Sequence, residues 1–402
     1  MRIYAPKKLD ACAIFVSLFV FFSFNPFFLW GFGFSSQIKL LFDVVFLVLF
    51  FYTFLLFGIN KKIVYIFPPL IFWCCLRFLW GLEYVYFFEL SKVFIKITLL
   101  LSLPFVILDL SFRYFRLIVL FFAVATIFSS FLILFFGSAI FEFVLNNPYE
   151  IKALNNQNYV GYFFGSYLDS FRACSSGLCL VRNNGPLDEP GYWGTFLGLY
   201  FAASRLHASS REFKIIVFAG FCTFSLAFFM LFFMATLFYN RKSLAKTAFF
   251  ISCILVSIGM VSSEYLQAFS IGRFSFQELF FERGANILVD KIISADVTQV
   301  LFGHGFGLGH SIAYGSSSWL LYLYDGGVLL ILATFLFYCL LYVIYARNTL
   351  SLLLLPIMFA SFLQRPDIVW VGFIYLFLMS RVSQPKSTAI KTSGVYSNNA
   401  HV

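Results

Sequence analysis

Five arginine side chains lie in the polar parts of an otherwise apolar chain, where they could bind phosphate. They are Arg172, Arg182, Arg273, Arg283 and Arg365. A planar guanidinium holds two oxygens of a phosphate group through parallel charge-assisted hydrogen bonds. Arginines in such positions are therefore one residue type that could bind a phosphorylated group, and no cofactor is expected.

Two residues that lie in the same polar stretches could accept a proton. Glu189 directly precedes Pro190, and proline suits the first turn of a helix. Glu189 is therefore either a charged N-terminal cap alone or a cap that also acts as a general base. His310 is the second candidate, because an imidazole with an ordinary pKa of about 6.5 is largely neutral at working pH. A solvated loop histidine is the alternative.

A glycine-rich run, FGHGFGLGH, extends from Phe302 to His310. Its glycines Gly303, Gly305 and Gly307 would let the backbone approach an anion closely and offer it N–H groups. The run lacks the Lys-Ser/Thr ending of a nucleotide-binding P-loop, so a flexible surface loop is the alternative. His304 and His310 have no cysteine or acidic partner at a metal-ligand spacing, and the sequence predicts no metal site.

The segments that must position these residues are strongly apolar. Of 402 residues, 61% are hydrophobic and 11% are charged, and the mean hydropathy is +0.90. The apolar runs are long enough to cross a bilayer as helices, and they do not alternate as barrel strands do. The sequence predicts an all-α fold, a polytopic membrane bundle of about twelve helices. Its two long polar stretches, residues 146–190 and 264–316, are then external loops.

Individual helices follow from the apolar runs. Residues 215–238 form either one helix or a hairpin of two short helices that turns near Thr223–Ser225. The hairpin is favoured because it keeps the basic residues Arg241, Lys242 and Lys246 on the cytoplasmic side. The other predicted helices are residues 11–34, 38–58, 63–80, 92–108, 117–143, 191–206, 247–263, 317–345, 349–363 and 368–380.

The net charge of +10 is best explained by membrane topology. Lysines and arginines lie in the short gaps between apolar runs. The positive-inside rule places these gaps and both termini in the cytoplasm. This distribution argues against binding to nucleic acid. Residues 1–380 are predicted to form a single polytopic membrane domain, and residues 381–402 a disordered cytoplasmic tail.

Two cysteines, Cys174 and Cys179, lie in the first external loop with four residues between them. An extracytoplasmic compartment permits disulfides, so the two thiols are either bonded to each other or free. The other six of the eight cysteines fall in apolar runs, where cysteine behaves as a small apolar residue.

Five charged residues interrupt the apolar runs, namely Asp43, Arg77, Lys92, Lys96 and Asp325. Charges in hydrocarbon are costly and usually face a bundle interior. The three basic residues are expected near the outer face. There, either snorkelling to the surface or contact with a lipid-linked anionic substrate explains them.

The chain resembles the bacterial O-antigen polymerases, and more distantly the O-antigen ligases. The resemblance rests on the two external loops and on five local matches, which are DEPGYWG at residues 188–194, TFS at 223–225, GRF at 272–274, Arg283 before the glycine-rich run, and QRPD at 364–367. Two features depart from it. Leu226 stands where many relatives have an arginine, and Ser316–Trp319 replaces the His-Asn pair typical of ligases, which favours polymerase over ligase.

The resemblance implies a metal-independent glycosyltransferase of the bacterial inner membrane that joins lipid-linked oligosaccharide repeat units. The growing glycan would leave undecaprenyl pyrophosphate, held by the five arginines with Arg283 foremost, and Glu189 or His310 would act as base. Expected partners are the lipid-linked oligosaccharide, membrane lipid and a protein that regulates chain length. The alternative from a different class is a flippase or other transporter, which would place its polar residues inside the bundle.

Overall fold

The structure is a computed structural model that describes residues 6–26, 36–78, 84–136, 142–145, 159–162, 164–175, 178–187, 189–204, 211–239, 285–305, 319–364 and 371–381. Within these ranges the chain is mostly helical and contains one four-stranded sheet. The helical body agrees with the predicted class. The sheet departs from a purely α fold. The predicted helix 247–263 and the tail beyond residue 381 lie outside the described residues.

The described helices are labelled in chain order: α1 Pro6–Ser23, α2 Ser36–Phe57, α3 Ile63–Phe78, α4 Tyr84–Ser102, α5 Phe105–Phe136, α6 Pro190–Ser204, α7 Arg211–Cys222, α8 Leu226–Tyr239, α9 Ala285–Ile293, α10 Val297–Phe302, α11 Trp319–Tyr345, α12 Thr349–Gln364 and α13 Val371–Met379. The strands are β1 Phe143–Leu145, β2 Tyr159–Tyr162, β3 Gly165–Ser175 and β4 Leu178–Gly185.

The boundary between α4 and α5 differs from the prediction. The predicted helices 92–108 and 117–143 were separated at Arg113 and Arg116, but both arginines lie inside α5, which runs for 32 residues. The chain breaks at Pro104, because proline lacks an N–H group and disfavours helical geometry in the residue before it. The carbonyl of Pro104 then accepts the N–H groups of Ile107 (3.0 Å) and Leu108 (3.2 Å), which starts α5.

The four strands form an antiparallel sheet in the order β1-β2-β3-β4. Most of this region is predicted from the sequence to be an external loop without strands. β3 and β4 form a hairpin in which Ser175 pairs with Leu178, so only two residues make the turn. Tyr162, Tyr167 and Val181 from the sheet pack on Ile133 of α5. This contact fixes the sheet to the end of α5.

The segment 211–239 forms the predicted helical hairpin. α7 ends at Cys222 and α8 begins at Leu226, with the turn at residues 223–225. The hydroxyl of Thr223 donates to the carbonyl of Gly220 (2.7 Å) and accepts the N–H of Ser225 (3.2 Å). A short polar side chain thereby satisfies the backbone at the turn.

The core lies around α13, all nine residues of which are buried. Its Tyr375 contacts Phe112 and Phe115 of α5, and its hydroxyl shares a hydrogen bond of 2.7 Å with Ser111. The hydroxyl of Ser17 in α1 donates to the carbonyl of Ser111 (2.7 Å). Small hydroxyl side chains therefore link three apolar helices through buried hydrogen bonds.

Large apolar side chains also cover much of the outer surface. Leu55 is 83% exposed, Phe136 72% and Val64 67%. α5 and α11 are long and apolar enough to cross a membrane, and four shorter apolar helices occur among the described residues. A contiguous exposed apolar surface is rare on soluble monomers, so these features favour a membrane protein.

Charged residues meet at one end of the bundle, here called the basic end. Arg381 forms an ion pair with Asp109 and lies over the ring of Phe105, 3.7 Å from its centre. The ammonium of Lys62 donates to the carbonyl of Ile344 (2.8 Å). Nearby, the Nε of Arg116 donates to Glu212 at 2.6 Å. The opposite end carries the sheet and is here called the sheet end.

Candidate functional site

The predicted site residues that the structure describes fall in two places. Arg172, Arg182 and Glu189 lie in or next to β3, β4 and the start of α6, whereas Gly303 and Gly305 follow α10. The remaining candidates lie outside the described residues; they are Arg273, Arg283, Gly307, His310 and Arg365.

The first place is the junction of β4 and α6 at the sheet end. Arg182 is half-buried in β4, and Glu189, also half-buried, stands directly before α6. The carbonyl of Glu189 accepts the N–H groups of Tyr192 and Trp193, both at 3.1 Å. Glu189 therefore takes the cap position that the sequence predicts, and its role in proton transfer stays a prediction.

Asn183, next to Arg182, anchors this junction to α5. Its side-chain amide donates to the carbonyl of Thr126 (3.2 Å) and to the hydroxyls of Ser129 (2.9 Å) and Ser130 (3.0 Å). Its side-chain oxygen accepts the N–H of Gly185 (2.8 Å) and the hydroxyl of Tyr162. Because both ends of the amide are used, the position of β4 relative to α5 is closely fixed.

Tyr162 acts as a neutral donor in this network. Burial raises the pKa of its phenol above the ordinary value, and the hydrogen bonds with Ser129 and Asn183 offset only part of that rise. The phenol therefore keeps its proton at neutral pH and can donate it to Asn183.

Gly185 and Trp193 hold β4 against α6. Gly185 has a φ of +58°, which L side chains rarely adopt, and a Cβ there would overlap the indole ring of Trp193. The indole N–H donates to the hydroxyl of Thr126 (3.2 Å), and the ring stacks on Phe196. The turn into α6 is thus tied to the same part of α5 as Asn183.

The turn between α7 and α8 packs against the first turn of α6 at this junction. A Cβ at Gly194 of α6 would overlap Ser225 and Thr223, so glycine permits the two segments to touch. The hydroxyl of Ser225 is buried and has no hydrogen-bond partner in the described part of the chain. It is a polar atom beside the start of α6, where Glu189 stands.

The β3–β4 hairpin places other predicted residues. Arg172 pairs with Val181 in register, so its backbone lies beside the segment that carries Arg182. Cys174 pairs with Cys179, which brings the two cysteines opposite each other across the hairpin. The strands therefore gather two of the five predicted arginines in one sheet.

The second place is a break in α11 at Gly327, which has a φ of +68°. The break frees two carbonyls: that of Tyr324 accepts the N–H of His304 (2.8 Å), and that of Asp325 accepts the N–H of Gly305 (3.1 Å). Residues 303 and 327 approach so closely that a Cβ on either glycine would overlap the other segment's backbone. The first residues of the glycine-rich run thus pack on the break in α11 and donate hydrogen bonds to the carbonyls exposed there.

This arrangement differs from the predicted use of Gly303 and Gly305. The N–H of Gly303 donates to Gln299 (2.7 Å), which ends α10, and that of Gly305 donates to Asp325. Both groups are therefore engaged within the chain. The N–H of Gly303 closes the last turn of α10, and that of Gly305 serves a carbonyl that the break in α11 leaves without its helical donor. The side chain of His304 stacks on the ring of Tyr324, with 4.0 Å between the ring centres.

The break also changes the direction of α11. The hydroxyls of Tyr322 and Thr334 lie 3.3 Å apart. Twelve residues of straight helix would separate these positions by about 18 Å. Residues 319–326 therefore bend back toward the helix formed by residues 328–345 instead of continuing along its axis.

Sequence reasoning missed Asn183 and the hydroxyl residues of α5, whereas Ser225 lies in the predicted turn at 223–225. The available signal was the set of Thr126, Ser129 and Ser130 within the apolar run of α5, since hydroxyls in such a run usually bond to a neighbouring element. Their partner in β4 was hidden because the strand itself was not predicted.

No protein-family model matches this chain, and no curated protein or solved structure matches it either.

Proposed function

We propose that the chain is a polytopic glycosyltransferase that polymerises lipid-linked oligosaccharide units at the external face of a bacterial inner membrane. The observation that carries the proposal is the junction of β4 and α6. It holds Arg182 and Glu189, a phosphate-binding residue type and a proton acceptor, on a rigid support at the sheet end. The proposal also rests on the resemblance of DEPGYWG at 188–194 to the O-antigen polymerases.

The membrane part of the proposal is supported by the outer surface and the charge distribution. Exposed side chains such as Leu55 and Phe136 suit contact with lipid. Lys62, Arg116 and Arg381 lie toward the basic end. The positive-inside rule then assigns that end to the cytoplasm and the sheet end to the outside, with about twelve spans in the whole chain.

The reaction needs an activated donor, and a pyrophosphate-linked glycan provides its own leaving group. A hydroxyl oxygen of the incoming unit attacks the anomeric carbon, and the bond from that carbon to the pyrophosphate oxygen breaks. The hydroxyl proton is transferred to Glu189 or His310. The free carrier pyrophosphate is the leaving group, and the arginines neutralise its charge. One base suffices if the displacement is direct and inverts the anomeric centre.

Within this scheme Arg172 and Arg182 are the described candidates for the pyrophosphate, with Arg273, Arg283 and Arg365 added from the sequence. Gly303 and Gly305 are reassigned, because their N–H groups serve the contacts with α10 and α11. They would support the wall of the site rather than bind the substrate. Gly307 keeps its predicted role.

The test is the length distribution of surface polysaccharide in cells that lack the protein and are complemented with variants. The wild-type gene should restore long chains, whereas Arg182→Gln and Glu189→Gln should leave a single repeat unit at equal protein level. Arg113→Gln is the matched control, because Arg113 is exposed and lies in the half of α5 near the basic end. Long chains with Arg182→Gln or Glu189→Gln would remove that residue from the mechanism, and an unchanged pattern in the deletion strain would refute the proposal.

A transporter is the second candidate, and the break in α11 favours it. Discontinuous helices with a buried acidic residue are common at substrate sites of transporters, and Asp325 is only 6% exposed. The same deletion strain separates the two. A polymerase defect leaves single units outside the membrane, whereas a flippase defect leaves none there.

A further inference from the structure

Two cations from distant parts of the sequence meet over one aromatic ring at the basic end. The ammonium of Lys62, in the turn between α2 and α3, lies 5.0 Å from the ring centre of Phe105, and the guanidinium of Arg381 lies 3.7 Å from it. The ammonium of Lys62 also donates to the carbonyl of Ile344 in the last turn of α11 (2.8 Å). Tyr345, the last residue of α11, packs on the same ring, with 5.7 Å between the ring centres. Phe105 is therefore the point where these segments converge.

The turn between α11 and α12 brings a further cation to the same place. The side-chain amide of Asn348 donates to the carbonyl of Ser380 (3.2 Å), the residue directly before Arg381. The hydroxyls of Ser351 and Ser380 share a hydrogen bond of 2.6 Å. Arg347, directly before Asn348, is exposed. These bonds hold the backbone of Arg347 beside the segment that carries Arg381.

Positive charge exceeds negative charge in this group, here called the basic cluster, which consists of Lys61, Lys62, Arg347 and Arg381. Arg381 is paired with Asp109. The other three form no ion pair in the described part of the chain: Lys61 and Arg347 are exposed, and the bond of Lys62 goes to a neutral carbonyl. Four positive charges therefore face one negative charge. Like charges that lie so close repel each other, and a bound anion would relieve this repulsion.

The surroundings of the basic cluster suit a lipid. Val64 of α3, Val106 of α5 and Val343 of α11 lie within three residues of the contacts around Phe105, and all three are more than half exposed. Hydrocarbon chains can follow these helices away from the charges. Groups of lysine and arginine next to membrane helices attract anionic head groups, and basic pockets between such helices bind lipids with two phosphates. Because the excess charge is spread over two turns, a head group with two phosphates matches it better than one with a single phosphate.

We propose that the basic cluster binds one anionic phospholipid that carries two phosphate groups. One phosphate lies at the turn between α2 and α3, beside Lys61 and Lys62, and the other lies beside Arg347. The acyl chains follow the exposed valines of α3, α5 and α11. The proposal rests on the membrane location proposed above, with the basic end at the inner surface, and it does not depend on polymerase activity. Lipid binding and chain polymerisation can therefore fail separately.

The experiment is native mass spectrometry of the full-length protein in mild detergent, titrated with diphosphatidylglycerol, phosphatidylglycerol or phosphatidylcholine. Diphosphatidylglycerol should bind about thirtyfold more tightly than phosphatidylcholine, with phosphatidylglycerol between them. Lys62→Gln and Arg347→Gln should each weaken the binding of diphosphatidylglycerol about fivefold. Lys214→Gln is the matched control, because Lys214 is an exposed lysine in the first turn of α7, outside the basic cluster. It should leave the affinity unchanged.

Arg347→Gln keeps the test decisive if Lys62→Gln does not fold, because the side chain of Arg347 makes no polar contact in the described part of the chain. Equal affinity for the three lipids would overturn the proposal, and so would an equal weakening in Lys214→Gln, which would indicate general surface charge. Equal binding of phosphatidylglycerol and diphosphatidylglycerol would refute the second phosphate. Displacement of the lipid by micromolar inorganic pyrophosphate would also overturn the proposal and assign the basic cluster to a soluble phosphorylated ligand.

Discussion

The side-chain amide of Asn183 in β4 donates a hydrogen bond of 2.9 Å to the hydroxyl of Ser129 in α5. This contact joins the sheet to the longest described helix, at the residue next to Arg182. A half-buried arginine on a strand can serve a substrate only if the strand itself is held still. Asn183 is therefore a positioning residue in the proposed site.

Asn183→Ala should lower the stability of the protein by about 2–4 kcal/mol, because it leaves several buried polar groups of α5 and β2 without their partner. The thermal unfolding midpoint of the purified protein in detergent measures this. Asn348→Ala is the control, since its side chain makes fewer bonds than that of Asn183. The oxygen of Asn348 caps α12 by accepting the N–H (2.9 Å) and the hydroxyl (3.2 Å) of Ser351, and its amide donates to the carbonyl of Ser380 (3.2 Å). That cap should contribute about 1 kcal/mol. A loss at Asn183 no larger than the loss at Asn348 would show that the network is not needed for stability.

Gly185→Ala tests the turn into α6. The added methyl group meets two obstacles, a positive φ and the indole ring of Trp193. Gly58→Ala meets only the first, because Gly58 has a φ of +79° and no atom within 4 Å of a Cβ. We expect Gly58→Ala to cost about 1 kcal/mol and Gly185→Ala clearly more. Equal shifts of the unfolding midpoint would mean that Trp193 moves aside without loss.

The sequence allowed the helical body to be predicted better than the sheet. Long apolar runs and a polar turn at Thr223–Ser225 identify helices directly, since each signal is local. The sheet lies in a stretch where Tyr, Ser, Gly and Asn are mixed, and its stability depends on packing against Ile133 of α5. The predicted start of α5 was also wrong, because Arg113 and Arg116 lie inside the helix and the chain breaks at Pro104.

At the site, too, contacts between neighbours in sequence could be predicted, whereas contacts between distant residues could not. Glu189 could be recognised as a cap from Pro190 alone, because capping involves neighbours in sequence. The contact between Gly305 and Asp325 joins residues 20 positions apart, and it exists only because α11 breaks at Gly327. A glycine run that binds an anion and one that covers a broken helix have the same composition, so sequence alone did not separate them.

Cys174 and Cys179 should form a disulfide if the sheet end faces an oxidising compartment. Ser175 and Leu178 flank a two-residue turn, so the cysteines form the next pair, which is a close, non-hydrogen-bonded one. Such pairs are near enough for a disulfide. The closed loop is short and should stabilise the hairpin by about 2 kcal/mol. Thiol labelling of denatured protein should modify six of the eight cysteines without reductant and all eight with it. Equal labelling of Cys174 and Cys179 under both conditions would refute the disulfide.

The break in α11 offers the last prediction. The methyl group added in Gly327→Ala would overlap the backbone of Leu301 and Gly303, and the alanine residue would have to adopt a positive φ. Residues 303–305 should then separate from the freed carbonyls of α11. Hydrogen exchange measures this directly, because the N–H groups of His304 and Gly305 are protected only by their bonds to Tyr324 and Asp325.

The matched variant is Gly326→Ala, one residue earlier. The three atoms nearest to its methyl group would all belong to the side chain of Leu330, and none to the backbone of residues 301–303. We therefore expect faster exchange at residues 304 and 305 in Gly327→Ala and little change in Gly326→Ala. Unchanged protection in Gly327→Ala would mean that the glycine is not required for the two segments to meet. Equal acceleration in both variants would instead point to a general loosening of α11.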